Sequence, residues 1–188
     1  NGAGKSTLMK VLAGVHIPNS GQIEIEGAKT AFTKPADAIN AGISMIYQEL
    51  DLAAHLTVAQ NVYLGSEPAG GPGGMFVSPA KMIEGTAALA SEYGFDINPR
   101  QTVEQLSTGD CQIVEILKAL RRKANVIVMD EPTSSLSENE AAKLFAIIDK
   151  LKASGIAVVY ISHRLEEIER LADHITILRD GQVVHSCF

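Results

Sequence analysis

Two apolar runs of strand length, Val126-Ile-Val-Met129 and Ala157-Val-Val-Tyr-Ile161, constrain this chain more than any other feature. Neither alternates with polar residues, so neither suits a sheet with one wet face. Continuous runs of this kind fit strands buried on both sides, as in a parallel sheet with helices on each face. Around them the apolar residues take helical spacing. Ile113, Ile116, Leu117 and Leu120 form one stripe, and Ala141, Leu144, Phe145, Ile148 and Leu151 form another behind the capping box Ser137-x-x-Glu140. The class is α/β, a mostly parallel sheet flanked by helices.

The remaining segments fit that frame. Lys5 to Ala13 reads as a helix ending at Gly14. Gln22 to Glu26 alternates as a half-buried strand closed by Gly27, and Ile43 to Tyr47 reads as a short strand. Thr57 and Gln60 form a capping box, and Ser78-Pro79 starts a helix that stops at Gly94. Residues 66–78 read as an irregular Gly/Pro loop. Ile175 and Ile177 alternate before a hairpin turn at Asp180-Gly181. The expected organisation is one domain over 1–188, with a helical stretch at about 49–118 inserted in it.

The 188 residues carry a net charge of −6, which disfavours nucleic acid as a partner. No apolar run approaches the ~18 residues that a membrane span needs. Cys111 and Cys187 do not form a disulfide framework, and a reducing compartment is the simpler inference. His16, His55, His174 and His185 lack any partner pattern and read as surface or loop residues.

Three groups of residues carry chemistry. Gly2-Ala3-Gly4-Lys5-Ser6-Thr7 is the back half of G-x-x-x-x-G-K-[ST] and runs straight into a helix with apolar Leu8, Val11 and Leu12. Its glycines let backbone amides turn around phosphate oxygens, Lys5 can reach the β- and γ-phosphates, and the Ser6 hydroxyl can ligate Mg²⁺. The first Gly of that pattern would precede Asn1, and the chain opens without Met, so a fragment cut at both ends is the expectation. Asp130-Glu131 follows a buried strand, where ligands bind in open α/β sheets. Asp130 suits the Mg²⁺ shell, and Glu131 suits the base that orients and deprotonates an attacking water. Ser107 and Gly109 open a helix and can meet an anion through a hydroxyl and an amide.

Together these residues resemble the ATP-binding cassette (ABC) ATPases, a P-loop NTPase family. Tyr47-Gln48-Glu49 resembles the Q-loop, and Leu106-Ser-Thr-Gly-Asp110 the signature motif. Ser134-Ser-Leu-Ser137 takes the D-loop place, and His163 after Tyr160-Ile-Ser162 resembles the switch histidine. The resemblance implies ATP and Mg²⁺ as cofactors. It places Asn1 to Thr7, Gln48, Ser107 and Gly109 on nucleotide, the last two on ATP held by a facing protomer. Ser6, Gln48 and Asp130 fall on the metal, and Lys5, Glu131 and His163 in catalysis. Strings such as Asp130-Glu-Pro-Thr-Ser-Ser-Leu-Ser-Glu-Asn-Glu140 are similar to bacterial monosaccharide importers of the ribose, galactose and xylose type, and this chain to their first cassette. That implies a fused second cassette, transmembrane permease subunits, a periplasmic or lipid-anchored sugar-binding protein, and a peripheral place on the cytoplasmic face of the membrane. An adenine-stacking loop would precede Asn1.

Three residues depart from the family pattern. Asp110 and Cys111 stand where Gln is usual, and Ser137 stands where the D-loop has Asp and reads as a helix cap. The rival readings are a DNA-repair ATPase and a translation-associated cassette. The first calls for a long coiled coil between Gln48 and Ser107, the second for basic linkers, and neither appears.

Overall fold

Strand β6 (Val126–Asp130) is the centre of the molecule, as its unbroken apolar run requires. Ile127, Val128 and Met129 are fully buried, and their side chains divide between two cores. Ile127 and Met129 join the larger cluster, and Val128 joins the smaller one on the opposite face. The structure is a computed structural model and describes residues 3–48, 50–70 and 76–187.

β6 lies between β3 (Ile43–Ile46) and β7 (Ala157–Ile161), parallel to both. Ile46 pairs with Met129, and Met129 with Tyr160, so the three strands end in register. Helices fill the connections, as parallel strands demand. From β3 the chain runs through α3 (Val58–Tyr63), α4 (Pro79–Glu92) and α5 (Thr108–Arg121) to β6. From β6 it runs through α6 (Glu138–Ala153) to β7, and α7 (Leu165–Leu171) follows. Val58, Val62, Ile116, Leu117, Leu144 and Leu151 pack with Ile127 and Met129 into the larger core. Arg121 ties α5 to α3, with its guanidinium 4.3 Å above the Tyr63 ring and donating to the Val62 carbonyl at 3.2 Å.

The smaller core covers the other face. Met9 of α1 (Lys5–Leu12) packs there with Phe32, Ala38, Ile43, Val128 and Ile161. Ala38 belongs to α2 (Pro35–Asn40), which had no signature in the hydrophobic pattern. Asp37 holds the start of α2 by accepting from the Thr33 amide at 3.0 Å and the Thr33 hydroxyl at 2.8 Å. Gly14 ends α1 at φ 70, and a Cβ there would lie 2.6 Å from the Lys34 carbonyl oxygen, so only glycine fits.

The rest is antiparallel. β1 (Ile23–Ile25) pairs with β2 (Ala28–Thr30) across Glu26-Gly27, and β8 (Ile175–Arg179) pairs with β9 (Gln182–Cys187) across Asp180-Gly181. Both turns have positive φ at both central residues, as two-residue type I′ hairpins require. The capping boxes at Thr57 and Ser137 form as their spacing predicts, and Ser78 caps α4.

Two expectations need correction. β7 is not buried on both faces: Ala157 is exposed and Val158 to Tyr160 are half-buried, because among the described strands β7 pairs only with β6. The stretch 66–78 is not wholly irregular: β4 (Ala69–Gly70) pairs with β5 (Phe76–Val77), while 71–75 lie outside the described residues. Among the described residues no helix is long and apolar enough to cross a membrane.

Leu117→Ala should destabilise the protein by roughly 2–5 kcal/mol in urea unfolding, since the side chain is fully buried in the larger core. Leu165→Ala, at a residue 74% exposed, should change stability by less than about 0.5 kcal/mol.

Candidate functional site

The register of the sheet brings the predicted residues to one edge. Gln48 lies just past the end of β3, Asp130-Glu131 at the end of β6, and Ser162-His163 just past β7. This carboxyl edge is where α/β sheets bind ligands. Within it, His163 Nδ1 sits 3.3 Å from Glu131 Oε1. Glu131 has φ 47, in the left-handed region that non-glycine residues rarely enter. The surrounding backbone holds it there: its N–H donates to the Ile161 carbonyl at 2.9 Å, and its carbonyl accepts from the Ser134 amide at 3.1 Å. Strain of this kind costs of order 1–3 kcal/mol and persists where neighbours over-determine the conformation.

Helix α1 begins over the same edge. Met9 seats it on Ile43, Val128 and Ile161, one residue from each of the three parallel strands. Gly4 is its N-cap at φ 90, with no side-chain oxygen on the first amides, which leaves them open to an external anion. The β8–β9 turn closes on this segment. The Gly181 amide donates to the Ala3 carbonyl at 3.1 Å, and a Cβ on Gly4 would lie 3.3 Å from Gly181 Cα. Gly4 therefore needs to be glycine for its φ and is also tightly approached. Ser6 and Thr7 are exposed, and Lys5 is half-buried. Burial and the neighbouring Glu131 charge push the Asp130 carboxyl above its ordinary range, while Lys5 opposes them. Asn1, Gly2 and Glu49 lie outside the described residues.

Ser107 and Gly109 form a second, separate group. Among the described residues, no hydrogen bond or ion pair links them to Lys5, Asp130, Glu131 or His163. Ser107 is the N-cap of α5: its hydroxyl accepts from the Asp110 amide at 3.1 Å and donates to the Asp110 carboxylate at 3.0 Å. The Gly109 amide donates to Glu140 Oε1 at 3.1 Å. Glu140 Oε2 accepts from the Ser137 hydroxyl at 2.7 Å and the Ser137 amide at 3.0 Å. The donors predicted to meet a phosphate are thus engaged with carboxylates of their own chain. Of the departures from the family pattern, Ser137 is the N-cap of α6, and Asp110 lies in the first turn of α5, where its carboxylate holds the Ser107 hydroxyl.

Gln112, Thr133 and Glu167, three of the five buried polar residues among those described, have no mark in the sequence pattern. Gln112, on α5, donates to the Pro132 carbonyl at 3.0 Å and so reaches the loop after Glu131. Thr133 and Glu167 are 3% and 4% exposed and hydrogen-bond each other at 2.7 Å. A capping glutamate can be found from spacing, as Glu140 was. Glu167 sits in the polar string Leu165-Glu-Glu-Ile-Glu-Arg170, and nothing in its spacing marks one of the three as buried.

A parallel sheet whose strand ends carry two carboxylates and an imidazole, with a helix that starts at Gly4-Lys5 packed on one face, is a P-loop NTPase fold. Solved ATP-binding cassettes share it. A nucleotide-free cassette from an ABC transporter superposes with a TM-score of 0.82 at 26% identity, covering 99% of this chain and 76% of that one. A cassette in its ADP conformation gives the same values. The family model described as ABC transporter matches residues 1–134, and the chain belongs to that family. It is 49% identical over 184 residues to a putative ribose/galactose/methyl galactoside import ATP-binding protein of Agrobacterium fabrum. It is 46% identical over 182 residues to the galactose/methyl galactoside import ATP-binding protein MglA of Clostridium perfringens. The first alignment takes in 98% of this chain and the second 97%, but the chain spans only about a third of each relative, 36% and 35%.

The Ser137 hydroxyl, then its amide and the Gly109 amide, hold the Glu140 carboxyl down at about 2 against an ordinary 4.5. A carboxyl lowered on folding stabilises fully above its unfolded value and loses that contribution as pH falls through the folded one. The Glu140 contacts should therefore persist above about pH 4.5 and fade as pH drops toward about 2. Carboxyl-carbon NMR titration of Glu140 checks this, and a midpoint near 4.5 would contradict the contacts.

Proposed function

We propose that this chain is the ATP-binding and hydrolysing cassette of a monosaccharide importer. The observation that carries the reading is the meeting of Glu131 and His163, 3.3 Å apart, at the sheet edge that α1 and Lys5 overlook. Names of relatives that are identical to nearly half of this chain's residues favour import of ribose- or galactose-type sugars.

Each residue takes one task. The open amides after Gly4 and the Lys5 ammonium bind the β- and γ-phosphates of ATP. The Ser6 hydroxyl, the Asp130 carboxylate and the Gln48 amide are hard oxygen donors of the kind Mg²⁺ accepts. Among the described residues no cluster of three or more His, Cys, Asp or Glu could hold a metal alone, which suits an ion that arrives with nucleotide and keeps phosphate oxygens in its shell. Bound there, Mg²⁺ supplies charge neutralisation on the phosphates, and its charge adds to that of Lys5 beside the Asp130–Glu131 pair. Glu131 orients water and takes its proton as the water oxygen attacks the γ-phosphorus and ADP leaves. His163 hydrogen-bonds the γ-phosphate and is kept next to Glu131.

The helical stretch 49–118 is proposed as the subdomain that passes nucleotide state to the membrane. A cleft of about 420 Å³ opens between it and the sheet, lined by Ile39, Tyr47, Leu52, Leu64, Lys118 and Arg122 among others. Ile39, Tyr47 and Leu64 are exposed there. A cleft near Gln48 with exposed apolar side chains and charged groups on its wall suits a segment of a permease subunit, which would sense the nucleotide through that residue. A second cassette, fused in the same polypeptide, would bring its own Ser107- and Gly109-like donors to the ATP held here. A sugar-binding protein would deliver substrate to the permease, and the assembly would place this chain peripherally on the cytoplasmic face of the membrane.

In the full-length protein, Glu131→Gln should bind Mg·ATP but lose most turnover, and Lys5→Ala should weaken nucleotide binding itself. Equilibrium binding and steady-state hydrolysis separate the two effects. Unchanged hydrolysis in Glu131→Gln would remove the base assignment, and unchanged affinity in Lys5→Ala would remove the phosphate-loop assignment.

A further inference from the structure

Glu167 is the one charged side chain that is buried among the described residues. It lies on α7, four positions after His163, and each of its oxygens has two donors. Oε1 accepts from the Thr133 hydroxyl at 2.7 Å and from Arg164 Nη1 at 3.0 Å. Oε2 accepts from the Tyr160 hydroxyl at 2.9 Å and the Ser162 hydroxyl at 2.8 Å. Ser162 is fixed a second time, because its hydroxyl also accepts from the Arg164 amide at 3.0 Å.

The positions of these donors give the cluster its meaning. Thr133 is two residues after Glu131, on the turn that closes when the Ser134 amide reaches the Glu131 carbonyl. Ser162 is the residue before His163. One carboxylate therefore bridges the loop that carries Glu131 and the loop that carries His163. A buried carboxylate is costly unless fully hydrogen-bonded, so the cluster favours one geometry strongly over its neighbours. Burial alone would push the Glu167 carboxyl up, but the hydroxyls of Thr133, Ser162 and Tyr160 and the Arg164 charge bring it below its ordinary value, and it remains ionised.

We propose that Glu167 is a positioning residue for phosphoryl transfer, setting the separation of Glu131 and His163 through Thr133 and Ser162. The inference rests on the assignment of Glu131 and His163 to ATP hydrolysis. Attacking water and γ-phosphate must both fit against these two side chains, and small misplacements of a reacting group cost large factors in rate. Under the proposed function nucleotide affinity comes from Lys5 and the amides of α1, and among the described residues no hydrogen bond or ion pair links these to the cluster. Loss of Glu167 should therefore appear in kcat and not in the KM for ATP.

The test compares steady-state ATP hydrolysis and thermal melting in the full-length protein and its Glu167→Gln, Thr133→Val, Thr133→Ser and Glu131→Gln variants. Glu167→Gln and Thr133→Val should each lower kcat by about 10- to 100-fold with KM within about threefold of the parent. Thr133→Ser, which keeps the donor, should retain most of the activity. An unchanged kcat in a folded Glu167→Gln or Thr133→Val protein overturns the inference. Parallel changes in kcat, KM and melting temperature overturn it too, since they would mark a general structural role. If Glu167→Gln does not fold, the Thr133→Val and Thr133→Ser pair decides. The underlying reading fails separately: Glu131→Gln would then retain turnover whatever Glu167 does.

Discussion

The register of three parallel strands is the constraint on which the rest depends. Ile46, Met129 and Tyr160 lie side by side, so everything that follows them emerges at one height. A one-residue slip of β6 would turn Ile127 and Met129 toward α1 and send Val128 into the larger core. It would also carry Asp130 and Glu131 away from His163. Core packing thus sets the position of the acidic pair, and the full burial of the three central β6 residues is why the register is well specified.

At that edge the fold holds arrangements that are unfavourable in isolation. Glu131 sits at a left-handed φ, and Asp130 has its carboxyl pushed up by burial and by Glu131. Glu167 is a buried charge. Each is compensated by specific partners: the Ile161 carbonyl and Ser134 amide for Glu131, the Lys5 charge for Asp130, and four donors for Glu167. Asp130 is the least compensated of the three. Under the proposed function, a divalent cation brought by nucleotide would offset this by adding positive charge where burial and repulsion oppose ionisation.

What the sequence could reveal followed from how local each signal is. The β6 run, the Ser137 capping box and the Asp180-Gly181 turn are short-range patterns, and each formed as read. The meeting of Glu131 and His163 has the same local origin, since strand ends in a parallel sheet share an edge. The misses were non-local. α2 buries only Ala38, which joins Phe32 and Ile43 in the smaller core, so it has no apolar stripe of its own. β7 has the composition of a central strand, but its burial depends on neighbours that a run of five residues cannot encode. Glu167 looks like any glutamate on a polar helix until the fold brings Thr133, 34 residues earlier, against it.

The donors at α1 and those at α5 are in different states, and under the proposed function the difference bears on how a cassette of this type would close. The amides at α1 have no side-chain acceptor. The Gly109 amide and the Ser107 hydroxyl already have one each, Glu140 and Asp110. A phosphate oxygen arriving at α1 fills an open position, whereas one arriving at α5 must displace a carboxylate. Exchange of one anionic acceptor for another at the same donor yields little net gain, because the cost of parting from the first offsets the second. Glu140 also keeps its Ser137 contacts after letting go of Gly109, so it retains a place to return to. Under the proposed function, ATP would therefore bind tightly at the Lys5 side and weakly at the signature side. Contact across the signature would then be easily broken once the γ-phosphate is lost, which is the property that a reversible closure needs.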